Sequence, residues 1–327
     1  MHAEFQLETW PLRQPFSISR ETTAELALLY CELRRGDFIG RAEAAGVDHR
    51  GETPAGIKEF LEKVLHAGAL PGDRITLFEQ MQAGGARNAI DCALWDLEAK
   101  EQGRRAWELA GIASPRALRT TYTIGLDEPG KMSADVARAP PGAVLKLKLG
   151  ARDGRDVDRV SAVRRAAPDS EIVVDVNEAW SLAELNDAAH ALAKLGVRLI
   201  EQPLPVDQDT ALDAYTGALP LCADESFSDS LSFDRLHPRY RCINIKLDKA
   251  GGLTDALRCA EIGRAKGLEL FAGNMLGTSL GMAPAFIVAQ QCRWVDLDGP
   301  LLLARDREQA FTFAGSTMLP FGAEVWG

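Results

Sequence analysis

From about residue 119 onward, the chain alternates short apolar runs with amphipathic segments, and this alternation limits the folds that it can adopt. Each run spans four to six residues, which is typical of a buried strand. The eight runs lie at 121–125, 144–149, 172–176, 197–201, 219–223, 242–245, 268–272 and 293–297. Strands that alternate with helices indicate a parallel sheet covered by helices.

The segments between the runs carry helix start and stop signals. Ser181 and Glu184 form a capping box at the start of one segment, and Gly196 marks its end. Thr254 is the expected N-cap of a later helix that runs to Gly267. Eight strand–helix units within roughly 180 residues predict a compact (β/α) barrel. An open doubly wound sheet is the alternative, but no Gly-x-Gly-x-x-Gly motif follows the first run.

The N-terminal third follows a different pattern, which predicts an α+β unit. Two apolar stretches flank a turn at 34–37, as in a hairpin, and two helical apolar stripes follow. The tail is rich in aromatic residues but contains no further strand–helix unit. We therefore predict an α+β capping domain at 1–113, completed by the tail at 302–327, and a catalytic barrel at 114–301.

The composition argues against several classes of partner. The chain has 37 Lys and Arg against 47 Asp and Glu, and a net charge of −10 repels nucleic-acid phosphates and anionic lipid surfaces. No apolar run approaches the ~20 residues of a membrane span. The six cysteines are scattered without a C-x-x-C motif and indicate reduced thiols in the cytoplasm. We expect a cytoplasmic protein without nucleic-acid or membrane partners, and the sequence leaves a homo-oligomer open.

Charged and polar residues recur at the carboxyl ends of the predicted strands, about one strand–helix unit apart. In a barrel these ends meet at one face, where the loops build the active site. A random scatter of charges would not keep this phase. The set is Lys146, Lys148, Asp175, Glu201, Asp224, Lys246, Asn274, Asp296 and Asp298.

Three carboxylates on neighbouring strands predict a metal site. Burying ionised groups such as Asp175, Glu201 and Asp224 costs several kcal/mol unless they are paired or bound to a metal. All-oxygen ligation favours Mg²⁺, which keeps open positions for substrate oxygens. The five histidines are dispersed, so no His pair at ligand spacing suggests a different metal.

Two lysines flank these acids in sequence, so around a barrel they lie on opposite sides of the metal. A desolvated lysine near other cations has a lowered pKa and can act as a base. Lys148 and Lys246 could therefore remove a proton from one face of a carbon next to a metal-bound carboxylate and return it on the other. That chemistry is racemisation or epimerisation.

At these residues the chain resembles the enolase superfamily, in its muconate-lactonizing-enzyme branch, and most of all the dipeptide epimerases that act on L-Ala-D/L-Glu from murein peptides. The motifs that carry the resemblance are Lys146-Leu147-Lys148, Asp175-Val176-Asn177, Ile200-Glu201-Gln202-Pro203, Ala223-Asp224-Glu225-Ser226, Asn244-Ile245-Lys246 and Asp296-Leu297-Asp298-Gly299-Pro300. The resemblance implies a modified TIM-type barrel, (β/α)7β, a capping domain that closes over it, Mg²⁺ as cofactor and a dipeptide as substrate.

The resemblance also implies the roles of the reacting residues. Lys148 is the base on one face of the substrate and Lys246 the base on the other. Lys146 contacts the bound carboxylate and helps to lower the pKa of Lys148. Asn177 and Glu225 lie beside the metal ligands and support them.

Further residues are implied to bind the substrate. Asp296 and Asp298 hold the free α-ammonium, and Arg20 meets the side-chain carboxylate of the substrate's Glu residue. Asn274 and Met275 line the pocket at the seventh strand. Family members often read Gly-Cys-Met at that strand, whereas this chain reads Gly273-Asn274-Met275. The identity of the N-terminal residue of the dipeptide therefore stays open.

Other functions compete with this interpretation. A dipeptide epimerase of different specificity, a muconate cycloisomerase or an o-succinylbenzoate synthase would use the same metal and lysines. Asp296 and Asp298 argue against the last two, because they would repel an anionic substrate without an ammonium. A Schiff-base aldolase would need one lysine and no Mg²⁺. A non-catalytic protein would have little reason to keep all three acids and both lysines.

Overall fold

The computed structural model describes residues 1–327, and a three-stranded antiparallel sheet opens the chain. Its strands are β1 (His2–Ser17), β2 (Thr22–Arg35) and β3 (Phe38–Ala44), in that order. The predicted hairpin is confirmed, since β2 and β3 pair across a turn in which Gly36 has a φ of 57°. Four helices follow: α1 (Pro54–His66), α2 (Arg74–Gln80), α3 (Gly85–Gln102) and α4 (Ala106–Leu109).

Helix α3 packs against the sheet and also contacts the second half of the chain. Gly40 of β3 lies so close to it that an added Cβ would stand 2.1 Å from the carbonyl oxygen of Ala93. On another face, the buried Arg87 donates to the carbonyl oxygens of Ala250 at 2.6 Å and Gly251 at 3.1 Å. The helix therefore connects the antiparallel sheet to the segment that follows the sixth barrel strand.

A second sheet contains eight parallel strands, and all eight predicted runs coincide with its strands to within a few residues. The order of neighbours in this sheet follows the order along the chain, as in a barrel. The strands are β5 (Thr121–Ile124), β6 (Val144–Lys148), β7 (Ile172–Asp175), β8 (Val197–Glu201), β9 (Leu221–Ala223), β10 (Tyr240–Ile245), β11 (Glu269–Ala272) and β12 (Trp294–Val295). The predicted barrel is thus confirmed.

The seam between the first and last barrel strands is bridged by side chains instead of a backbone ladder. Thr121 Oγ1 donates to Asp296 Oδ1 at 2.6 Å, and the backbone N–H of Thr123 donates to Asp298 Oδ2 at 2.6 Å. Thr120 Oγ1 accepts from the backbone N–H beyond β12 at 2.9 Å. These bonds fix both aspartates at the mouth of the barrel.

The connections between barrel strands are helical, but two of them contain 3₁₀ turns only. The segments after β8 and β9 carry the short helices Val206–Ala214 and Ser232–Asp234. Pro203 and Pro205 follow β8 and restrict the backbone there, since proline disfavours the helical conformation of the residue before it. The α-helices are α5 (Pro129–Asp135), α6 (Asp156–Ala166), α7 (Leu182–Lys194), α8 (Leu247–Ala250), α9 (Leu253–Ala265), α10 (Ser279–Ala289) and α11 (Gly299–Leu302).

One predicted helix start is confirmed and one is wrong. Ser181 caps α7 with a complete capping box, as expected. Thr254 is not an N-cap, because α9 begins at Leu253 after Gly252. Its backbone N–H and Oγ1 both donate to the carboxylate of Asp91, at 2.9 and 2.5 Å. A residue of α3 therefore caps this barrel helix, which sequence-local reasoning could not predict.

The C-terminal tail runs back along the N-terminal region. Its strand β13 (Phe313–Ala314) pairs with β14 (Thr317–Met318), and β14 pairs with β4 (Leu118–Arg119). Trp326 Nε1 then donates to the carbonyl oxygen of Arg41 at 2.9 Å. The boundaries at 113/114 and 301/302 stay predictions. None of the helices combines the length and the apolar character that a membrane span requires.

Candidate active site

A cavity of about 380 Å³ lies between the carboxyl ends of the barrel strands and the loops of the N-terminal region. The end of β1 and the loop after it contribute Phe16, Ile18 and Arg20 to its lining, and the barrel contributes most of the predicted site residues. The predicted site residues of the barrel that line it are Lys146, Lys148, Asn177, Asp224, Glu225, Lys246, Asn274, Met275, Asp296 and Asp298.

The structure brings the three predicted carboxylates together beside this cavity, and of the three only Asp224 lines it. Asp175 ends β7, Glu201 ends β8 and Asp224 follows β9, and none is more than 2% exposed. One oxygen from each lies within 4.8 Å of the other two. Three buried negative charges at this separation repel one another strongly unless positive charge lies between them.

The two predicted bases stand at opposite ends of this acidic group. Lys148 Nζ is 2.6 Å from Asp175 Oδ2, and Lys246 Nζ is 2.7 Å from Asp224 Oδ2. Lys148 ends β6 and Lys246 follows β10, so the three strands that carry the acids separate them. A planar group held above the acids would therefore meet one amine on each side.

Lys146 lies below these two amines and contacts several acids at once. Its side chain is buried, and its Nζ is 2.8 Å from Asp296 Oδ2 and 2.8 Å from Glu201 Oε2. Asp175 Oδ2 is 3.2 Å away. Lys146 thus links Asp175 and Glu201 to Asp296 at the barrel seam.

Burial and mutual repulsion perturb the ionisation of this cluster. Burial, together with the charge of Asp175, raises the pKa of Glu201 to about 8. Burial alone would lower the pKa of Lys246, but the carboxylates of Asp224, Glu201 and Glu225 together outweigh it and raise the pKa of that lysine. The lowered pKa expected for a lysine base is therefore wrong for Lys246 in this structure, because its nearest charged contacts are acids.

The acids fit a hard divalent cation. Glu201 Oε2 is buried without a hydrogen bond, although Lys146 Nζ lies 2.8 Å away outside hydrogen-bonding geometry. The converging donors are carboxylate oxygens, the ligands that Mg²⁺ prefers. Asp175, Glu201 and Asp224 are thus the residues that could hold Mg²⁺.

The two seam aspartates differ in how much of each carboxylate is free. Both oxygens of Asp296 are hydrogen bonded, to Lys146 Nζ at 2.8 Å and Thr121 Oγ1 at 2.6 Å. Only Oδ2 of Asp298 is bonded, to the backbone N–H of Thr123. Burial and the charge of Asp296 raise the pKa of Asp298 to about 7. A cationic ligand would therefore find its free oxygen on Asp298.

Arg20 reaches the cavity from the loop between β1 and β2. Its Nη1 donates to Glu225 Oε1 at 2.9 Å and to Glu178 Oε2 at 3.2 Å. Its Nη2 lies 3.9 Å from Asp48 Oδ2, too far for a hydrogen bond. The Nε–Nη2 edge of the guanidinium is thus available to a carboxylate, and such an edge binds carboxylates with two parallel bonds.

The remaining predicted residues hold loops as well as lining the cavity. Asn274 Oδ1 accepts from the backbone N–H of Leu276 at 2.6 Å, so its amide shapes the turn that carries Met275. Asn177 Oδ1 accepts from Lys148 Nζ at 3.2 Å, and its Nδ2 donates to Glu225 Oε1 at 3.4 Å. Asn177 therefore contacts both a predicted base and a partner of Arg20.

Two residues that contact the acids were given no role in the sequence analysis, although Asn244 stands in one of its motifs. Lys249 Nζ donates to Asp224 Oδ1 at 2.5 Å, and Asn244 Nδ2 donates to Glu201 Oε1 at 2.6 Å. Asn244 lies two residues before Lys246, so strand alternation places both side chains on the same face of β10. Lys249 lies one helical turn after Lys246. These spacings were the available signals.

Comparisons with known proteins agree with this geometry. A family model described as "Enolase C-terminal domain-like" matches residues 133–308, and one described as "Mandelate racemase / muconate lactonizing enzyme, N-terminal domain" matches residues 2–111. The L-Ala-D/L-Glu epimerase of Escherichia coli K12 is 38% identical over 94% of this chain and 95% of its own length.

Two further relatives resemble the chain closely. The N-acetyl-D-glutamate racemase of a Pseudoalteromonas species is 42% identical over 77% of this chain and 79% of its own. A crystal structure of an enolase family member from Agrobacterium tumefaciens, with homology to dipeptide epimerases and with bound sodium and L-Ala-L-Glu, is 40% identical. It covers 99% of both chains with a TM-score of 0.94. The chain belongs to the enolase superfamily, in the branch of mandelate racemase and muconate lactonizing enzyme.

Proposed function

We propose that this chain is a Mg²⁺-dependent dipeptide epimerase that inverts the α-carbon of the C-terminal residue, with L-Ala-D/L-Glu as its preferred substrate. The observation that carries the proposal is the placement of Lys148 and Lys246 on opposite sides of three clustered carboxylates. The names of the relatives from E. coli and A. tumefaciens support the same substrate.

The clustered acids and the two lysines have different roles in the proposed reaction. Asp175, Glu201 and Asp224 would hold Mg²⁺. When bound, the ion would offset the carboxylate charges that raise the pKa of Lys246 and would stabilise negative charge that develops on the substrate carboxylate. Lys148 removes or returns the α-proton on one face and Lys246 does so on the other.

The remaining contacts orient the dipeptide. Asp298, with Asp296 beside it, receives the α-ammonium through its free oxygen. Arg20 receives the side-chain carboxylate on its Nε–Nη2 edge. Phe16 at the end of β1 and Ile18 in the loop after it line the cavity and would limit the access of water to it.

A panel of L,L-dipeptides incubated with the protein in D₂O and Mg²⁺ tests the proposal. Epimerisation exchanges the α-proton with solvent, so each accepted dipeptide gains one mass unit. We expect the label in Xaa-Glu members, with L-Ala-L-Glu labelled fastest. Label confined to hydrophobic or cationic dipeptides would indicate an epimerase of different substrate specificity. No label in any member would contradict the proposed function.

Racemisation of N-acetylglutamate is a second candidate, favoured by the raised pKa of Asp298. At pH 7 this carboxyl is partly protonated and could donate a hydrogen bond to an acyl oxygen instead of binding an ammonium. The name of the Pseudoalteromonas relative gives this substrate class. The ratio of kcat/KM for L-Ala-L-Glu to that for N-acetyl-L-glutamate separates the two candidates.

We propose a cytoplasmic location for this activity. The six cysteines are all free and buried, as in proteins of a reducing compartment. A homo-oligomer stays open.

A further inference from the structure

Each of the three clustered carboxylates has one oxygen held by a donor other than the site lysines Lys146, Lys148 and Lys246. The three bonds are Asn177 N–H to Asp175 Oδ1 at 3.0 Å, Asn244 Nδ2 to Glu201 Oε1 at 2.6 Å and Lys249 Nζ to Asp224 Oδ1 at 2.5 Å. These donors belong to the barrel frame, because they are backbone or fully buried side-chain groups. One oxygen of each acid is therefore already committed.

The second oxygen of each acid faces a site lysine instead. The contacts are Lys148 Nζ to Asp175 Oδ2 at 2.6 Å, Lys146 Nζ to Glu201 Oε2 at 2.8 Å and Lys246 Nζ to Asp224 Oδ2 at 2.7 Å. A divalent cation can take the place of an ammonium at these oxygens. It cannot take the first set without breaking buried hydrogen bonds, which is costly.

We infer that Lys249 and Asn244 are positioning residues that restrict Asp224 and Glu201 to one metal-binding oxygen each. With one oxygen from each of three acids, a six-coordinate ion such as Mg²⁺ keeps about three positions for other ligands. A carboxylate that turned to bind with both oxygens would occupy one of these positions. The inference rests on the proposed function only in that a dipeptide carboxylate is the ligand expected there.

Lys249 is the stronger of the two constraints. Its side chain is fully buried, and its Nζ also donates to the carbonyl oxygens of Phe227 at 2.7 Å and Asn244 at 3.1 Å. A rotation of Asp224 Oδ1 away from this ammonium would leave the buried charge of Lys249 without its carboxylate partner. The orientation of the Asp224 carboxylate is thus set from behind by Lys249.

Asn244 is fixed by its packing against the next strand. It is fully buried, and a Cβ added at Gly273 would stand 2.3 Å from Asn244 Oδ1. Only glycine at 273 leaves room for the amide, which then points its Nδ2 at Glu201. Replacement of Asn244 by leucine removes the donor to Glu201 Oε1. It leaves no other polar group without a partner, since Asn244 Oδ1 has no hydrogen-bond partner.

The test counts the water molecules on Mn²⁺ bound in place of Mg²⁺, by pulsed EPR in H₂O and D₂O. The wild-type protein without substrate should show about three waters, and Lys249→Met and Asn244→Leu should each show about two. Mn²⁺ affinity should be kept or increased in Lys249→Met, since a neighbouring positive charge is removed. KM for L-Ala-L-Glu should rise about tenfold in both variants, because one position for the substrate carboxylate is taken.

Lys194→Met is the matched control, because Lys194 is exposed in the last turn of α7 and makes no ion pair. It should keep the wild-type water count, and circular dichroism checks the fold of each variant. If Lys249→Met does not fold, Asn244→Leu carries the test. An unchanged water count in the folded variants, or a loss of Mn²⁺ affinity with KM unchanged, would overturn the inference. A wild-type protein that shows these water counts but epimerises no dipeptide would instead refute the proposed function alone.

Discussion

At the scale of single residues, the carboxyl group of Asp298 shows how burial can set a pH dependence. Burial and the charge of Asp296 hold its pKa at about 7, so its charge changes within the physiological range. Binding of an ammonium requires the ionised form. We expect kcat/KM for L-Ala-L-Glu to rise as the pH increases through about 7, and a pH–rate profile measures this. In Asp298→Asn the dependence should vanish together with most of the activity. An unchanged profile in that variant would show that another group titrates.

Arg20 should determine the preference for an acidic side chain. Glu225 and Glu178 occupy Nη1, which leaves the Nε–Nη2 edge for a carboxylate. Hydrogen bonds to charged groups contribute roughly 1.5–3 kcal/mol, so Arg20→Met should raise KM for L-Ala-L-Glu by ~10- to 100-fold. KM for L-Ala-L-Gln, which is similar in shape but neutral, serves as the internal control and should change little. Equal losses on both dipeptides would assign Arg20 a structural role.

At the scale of secondary-structure elements, the contact between β3 and α3 tests the packing of the N-terminal region. A Cβ at Gly40 would stand 2.1 Å from the Ala93 carbonyl oxygen and 2.7 Å from Leu97 Cβ. Overpacking of this kind costs about 1–3 kcal/mol, so Gly40→Ala should lower the free energy of unfolding in urea by about 2 kcal/mol. Gly72→Ala is the control, because nothing lies within 4 Å of the added Cβ. Equal stability of the two variants would contradict the packing.

The elements also show what a sequence can predict. The eight strands were predictable because each is a short apolar run between polar segments, and the capping box of α7 involves residues three apart in sequence. The cap on α9 was not predictable, because Asp91 reaches Thr254 from a distant helix. The same limit applies to the site. The strand-end acids and lysines were predictable from periodicity, whereas the bond from Lys249 to Asp224 was not, because it depends on how two strand ends pack.

At the scale of the whole molecule, the acidic cluster should couple stability to pH and to Mg²⁺. Burial and neighbouring charges raise the pKa of Glu201 to about 8, above its ordinary value of 4.5. Its contribution to folding is therefore fully present below about pH 4.5 and is lost as the pH rises towards 8. With EDTA present, the free energy of unfolding from urea titrations should fall over this range more steeply than in Glu201→Gln. The same pH dependence of the free energy of unfolding in the wild type and in Glu201→Gln would show that Glu201 is not its cause.

Mg²⁺ should reverse this loss. A ligand that binds only the folded protein stabilises it by about 2.7 kcal/mol at a hundredfold excess over its Kd. We therefore expect Mg²⁺ to raise the melting temperature at pH 8, and the rise should disappear in Asp175→Asn. A melting temperature that does not change on addition of Mg²⁺ would contradict the assignment of the three acids as Mg²⁺ ligands.

The central claim is that Lys148 and Lys246 act on opposite faces of one carbon. Deuterium incorporation from D₂O into L-Ala-L-Glu and L-Ala-D-Glu, followed by ¹H NMR, tests it most directly in Lys148→Ala and Lys246→Ala. Both variants should lose epimerisation, and any remaining exchange should label one epimer in the first variant and the other epimer in the second. Full epimerisation by either variant, or exchange of the same epimer by both, would contradict the account.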